Sequence, residues 1–92
     1  MDKELHLFFK ERSIFMKQNN LEYEKIPCNY LYLCFIHFNI NTKLNFKNFK
    51  KYLDNFIISI NDENIIYITK TQKYKKHKSY CINYKLLLNM VC

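Results

Sequence analysis

Five lysines, Lys70, Lys73, Lys75, Lys76 and Lys78, fall within nine consecutive positions, interleaved with Tyr74 and His77 and free of any acid. Such a segment suits a phosphodiester backbone. Each lysine that neutralises a phosphate releases a condensed counterion, and a tyrosine hydroxyl donates a hydrogen bond to a phosphate oxygen. Lysines of this kind also guard the edge of a β-sheet against pairing with another chain, so the stretch has a purely structural reading as well. A second set, Lys47, Asn48 and Lys51, falls on one side of an expected helix. There the lysines suit phosphate or guanine, and the asparagine suits a bidentate pair with adenine. The same three residues also suit an ordinary solvated helix face, because Lys and Asn are abundant throughout the chain.

Other chemistries find little to work with. The chain has no glycine, so no phosphate-cradling glycine loop can be written. Its acids are scattered rather than paired in apolar surroundings, and its cysteine–histidine pairs have only chance spacing. Cys34 and His37 stand one helical turn apart, and Cys28, His77 and Cys81 are further donors. The short paired spacing of a structural zinc site, such as C-x-x-C, does not occur. Cys34 borders an apolar stripe and is expected to be a buried free thiol, and Cys92 an exposed one. The expectation is a non-enzyme with no metal, no cofactor and no small-molecule substrate.

Charge is distributed unevenly. The formal net charge is +7, but the abundance of Lys, Asn, Ile, Tyr and Phe marks an AT-rich coding bias that inflates lysine. Position is therefore more informative than the total. Before Lys43, five basic residues are cancelled by Asp2, Glu4, Glu11, Glu22 and Glu24. From Lys43 onward, ten lysines face only Asp54, Asp62 and Glu63. A basic half of this kind concentrates anions and suits a polyanionic partner.

With 92 residues the chain is expected to form one domain, residues 1–92, with a modest core. Phe and Tyr make up 17% of the sequence, so that core must be built largely from rings. Asp2 is placed to cap a helix from about Lys3 to Asn19, with Leu5, Phe8, Phe9, Phe15 and Met16 inward. Leu21 to Ile26 alternates as a short strand, with Leu21 and Tyr23 opposed to Glu22 and Glu24, and Pro27 begins a second helix. That helix is expected over Asn29 to Phe38, with Leu31, Tyr32, Phe35 and Phe38 inward. A third, capped by Asn45, runs to about Asn55 with Phe46, Phe49, Leu53 and Phe56 inward. Ile65 to Thr69 and Ser79 to Tyr84 read as strands, and the basic stretch between them as a hairpin tip. The predicted fold class is α+β: a winged helix-turn-helix of three helices and a C-terminal β-hairpin wing.

The residues also carry a family resemblance. Ile26-Pro27-Cys28-Asn29-Tyr30-Leu31-Tyr32, followed by Phe35 and Phe38, resembles a helix of the C-terminal winged-helix domain of phage- and poxvirus-type primase–helicases. Leu44-Asn45 with Phe49 and Leu53 is similar to the recognition helix of that domain, and Tyr80 to Leu86 to its final strand, with Asn83 where a glycine is usual. Phe9-Lys10-Glu11-Arg12 resembles the start of its first helix, so the likeness extends from about Phe8 to Leu86. It implies a module that binds DNA, duplex or junction, within the replication apparatus of a virus or mobile element, with replication proteins as further partners.

Two other functions fit the same fold. One is a protein–protein adaptor and the other a small transcriptional regulator, for which a dimer and a pseudo-palindromic target are expected. No targeting segment or membrane span is visible, so an intracellular protein with reduced thiols is expected.

Overall fold

The structure, a computed structural model, describes residues 2–70 and 78–91, with Asp2 and Lys70 described by their backbone alone. The architecture is α+β, with the order α1 (Asp2–Gln18), β1 (Tyr23–Pro27), α2 (Cys28–Phe38), α3 (Phe46–Ile60), β2 (Ile66–Lys70), β3 (Lys78–Asn83) and α4 (Tyr84–Val91). The strands form one antiparallel sheet in the order β1-β3-β2. Within it Ile26 pairs with Tyr80, and Ile66 with Ile82. No described helix is long and apolar enough to cross a membrane.

The core is aromatic, as the composition requires. Phe9 of α1 stacks on Phe56 of α3, with ring centroids 4.9 Å apart and planes 11° from parallel. Phe35 of α2 receives Phe8 edge-on at 5.5 Å and lies 5.1 Å from Phe49 of α3. Leu5, Leu31, Leu53, Tyr80 and Ile82 complete the interior. α1 also packs along α4, where the His6 Nε2 bonds to the Val91 carbonyl at 2.9 Å.

In a chain without glycine, asparagine ends the helices. Asn20 and Asn61 hold left-handed backbone, with φ of 57° and 50°. After α1 the Leu21 N–H bonds to the Met16 carbonyl at 2.8 Å and the Asn20 N–H to the Lys17 carbonyl at 3.1 Å. That pair of bonds is a Schellman closure, usually built on glycine. Asparagine tolerates this backbone better than most residues.

Four expectations need correction. A fourth helix follows β3, so Tyr84 opens α4 rather than closing a strand. Asn83 accepts a hydrogen bond from the Leu86 N–H at 3.1 Å, which caps the new helix, and Tyr84, Leu87 and Val91 are buried along one stripe. α3 runs five residues beyond Asn55, because Phe56, Ile57 and Ile60 continue its inward stripe until Asn61 turns left-handed. Phe15, Phe38 and Phe46 are 57%, 42% and 37% exposed rather than inward. Each lies at the flank of a stripe already filled, by Leu5, Phe9 and Met16 in α1, by Leu31 and Phe35 in α2 and by Phe49 and Leu53 in α3.

The last correction concerns β1, whose faces are reversed. Tyr23 points outward at 70% exposure and Leu21 is also exposed, whereas Glu24 shares the inner face with buried Ile26. Glu24 is tolerated there because it is fully partnered. Arg12 Nη2 donates to its two carboxylate oxygens at 2.9 and 2.7 Å, Arg12 Nε donates to Oε1 at 3.2 Å, and the Tyr84 hydroxyl donates to Oε1 as well.

Candidate nucleic-acid interface

α3 is set by local chemistry at its start. Asn45 has extended backbone, and its side chain accepts the Asn48 N–H at 2.8 Å, satisfying one of the amides a helix start leaves open. The preceding connection is pinned on two sides. The Tyr32 hydroxyl donates to the Leu44 carbonyl at 2.7 Å, and the Thr42 hydroxyl donates to Glu4 at 3.1 Å while accepting the Leu44 N–H. Tyr32 also packs its ring 5.3 Å from Phe46 and 5.1 Å from Phe49. The helix therefore leaves α2 at a fixed angle, with its apolar side held in the core.

That arrangement leaves Lys47, Asn48, Lys51 and Asn55 exposed together on the outer side of α3. The structure brings Lys47, Asn48 and Lys51 onto one surface, as their spacing implied. Lys70 and Lys78 are cross-strand partners at the ends of β2 and β3, and the side chain of Lys78 is exposed. Lys73, Tyr74, Lys75 and Lys76, like His77 and Cys92, lie outside the described residues.

One cleft joins the two basic elements. It holds about 290 Å³ between the start of α2, one flank of α3 and the first residues of β3. Phe46, Lys50 and Asp54 come from α3, Asn29 from α2, and Lys78 from β3. Cys28 and Tyr80 form its inner wall, where the Tyr80 hydroxyl donates to the Cys28 sulfur at 3.6 Å. Burial pushes both groups upward from their usual pKa values, so the Cys28 thiol stays protonated and unreactive near neutral pH. The Lys50 ammonium sits 4.9 Å from the centroid of the Phe46 ring, a cation–π contact that limits its sweep.

Lys50 and Asn29 are the residues that sequence reasoning missed. For Lys50 the signal was present: it stands one turn after Phe46, between the apolar stripe and the Lys47–Lys51 side. Asn29 had no such signal, since its position depends on the docking of α2 beside β3. Among the described residues no group of three or more His, Cys, Asp or Glu side chains is arranged to hold a metal ion. Cys28, Cys34 and Cys81 are free thiols; Cys28 is buried, whereas Cys34, expected to be buried, is partly accessible at the edge of the α2 stripe, as is Cys81 on β3. No protein-family model, curated protein or solved structure matches the chain.

Proposed function

We propose that this chain is a non-catalytic winged-helix module that binds DNA, duplex or junction, as part of the replication machinery of a virus or mobile element. The topology supports the fold: helix, strand, helix, helix and two strands, with the last strand lying between the other two. α4 is then an addition after the winged-helix elements. α3 takes the place of the helix that enters the major groove in helix-turn-helix proteins. The role in replication rests on the resemblance of residues 8–86 to the primase–helicase terminal domain.

The observation that carries the reading is the shared cleft, in which Lys50 of α3 and Lys78 of β3 open onto one space. One flank of α3 and the first residue of β3 thus border the same space. With five or six lysines each meeting a phosphate, log K for DNA falls with log salt at a slope of about −5. The test is a binding series on single-stranded, duplex and forked DNA at several salt concentrations. A slope near zero overturns the proposal.

A second reading, a protein–protein adaptor, is favoured by a different surface. Phe15 and Phe38 rim a depression of about 320 Å³ between α1 and α2, with Cys34 and Phe8 beneath them. Charge reversal of Lys73, Lys75 and Lys76 to Glu separates the two readings, because it abolishes DNA binding and leaves an adaptor contact at Phe15 and Phe38 intact.

A further inference from the structure

The cleft between α2, α3 and β3 has a more specific chemistry than a general basic surface. Cys28, Phe46 and Tyr80 line it, and its α3 and β3 rims carry Lys50 and Lys78. A water's share of liquid volume is about 30 Å³, so the 290 Å³ present accommodates one phosphate group with part of its hydration shell. The two non-bridging oxygens of a phosphodiester point in different directions, so one can meet each rim. Lys50 is held over the Phe46 ring, and the Asn29 amide adds a neutral donor at the mouth. Asp54 also lines the cleft, one helical turn beyond Lys50, yet the only ion pair among the described residues is Arg12 with Glu24. Both cleft lysines therefore lack a carboxylate partner among those residues.

We propose that this cleft seats a single backbone phosphate of bound DNA, shared between Lys50 and Lys78. The inference rests on the DNA-binding reading and adds what that reading leaves open, a fixed point that sets the register of α3 on the duplex. Such a contact positions the protein without reading sequence. Asp54 repels the same phosphate and holds the affinity down.

The test uses the full chain and a labelled duplex, with binding followed by fluorescence anisotropy across a salt series. Lys50→Gln and Lys78→Gln each weaken binding on the order of tenfold at low salt. The double variant reduces the steepness of the salt slope by about 0.9, the loss of one neutralised phosphate, and each single variant by less than that, equally on unrelated sequences. Because one phosphate is shared, the double variant is weaker than either single by less than the product, a coupling of about threefold or more. Lys47→Gln with Lys78→Gln simply multiplies. Asp54→Asn tightens binding by about threefold, a gain that impaired folding cannot imitate. Independent effects of Lys50 and Lys78, or none, overturn the shared seat while leaving DNA binding in place. A wild-type chain that binds no duplex overturns both.

Discussion

Arg12 and Glu24 form a bidentate ion pair, 2.7 Å at its closest, with only 17% and 21% of their side chains exposed. The pair ties α1 to the inner face of β1. The Tyr84 hydroxyl joins it from α4, accepting from Arg12 Nε at 2.8 Å and donating to Glu24. α1 and β1 are thus tied to the distant α4 by one polar cluster at the edge of an aromatic core.

Removing one partner of this cluster leaves the other poorly solvated and uncompensated. Arg12→Met is expected to destabilise the fold by about 2–3 kcal/mol, at the lower end for a sheltered pair because both side chains retain some solvent contact. Arg12→Met combined with Glu24→Leu should recover most of that loss. Urea denaturation of the two variants checks both statements. A double variant as unstable as the single would contradict this account.

Alkaline pH should unfold the protein earlier than its charge alone implies. Burial, with hydrogen bonds to Cys28 and Glu24 respectively, raises Tyr80 and Tyr84 well above the ordinary tyrosine value of 10. The unfolded chain therefore loses these protons first. Their contribution to stability is complete below pH 10 and is lost progressively as pH rises above it. Cys28, raised from its ordinary value of 9.0 mainly by burial, acts in the same direction slightly earlier. Urea midpoints measured between pH 8 and pH 11 should fall, and Tyr84→Phe should make that decline shallower.

Left-handed asparagine invites improvement. Asn61 ends α3 with φ of 50°, a backbone that glycine adopts without penalty and alanine resists. Asn61→Ala should cost about 1 kcal/mol, while Asn61→Gly should be neutral or slightly stabilising. Thermal melts of the two variants should therefore move apart, with the alanine variant below the wild type.

The cap of α3 gives a prediction that links stability to binding. Asn45→Ala removes the acceptor of the Asn48 N–H and should cost about 1 kcal/mol. Asn48→Ala touches no described core contact and should leave the melting temperature unchanged. On DNA it should instead narrow the difference between adenine-containing and substituted sites, by about 1–3 kcal/mol at the position it reads. A Asn48→Ala variant with unchanged site preference would remove base reading from this helix.

Patterning made much of the architecture legible, because apolar spacing in α2 and α3 is set by packing that the fold then realises. The cap at Asn45 and the exposed triplet Lys47, Asn48 and Lys51 followed from the same spacing. Patterning failed where a polar residue turned inward. Glu24 reads as a solvent residue until Arg12 and Tyr84 are known to meet it, and that single partnership reverses the faces of β1. Phe15 and Phe38 misled for the opposite reason. Hydrophobicity alone does not say that a stripe is already full. α4 was missed because Tyr80, Ile82 and Tyr84 continue a strand alternation, and only the Asn83 cap marks the change of period. The cleft at Lys50 depends on α2, α3 and β3 meeting, which no local pattern encodes.

The hydrogen bond between His6 and Val91 brings the two extremities of the described fold to one corner. Any polypeptide fused ahead of α1 and any fused behind α4 would therefore emerge side by side. A short bridge across that corner, with new ends opened elsewhere, should yield a circular permutant that still folds.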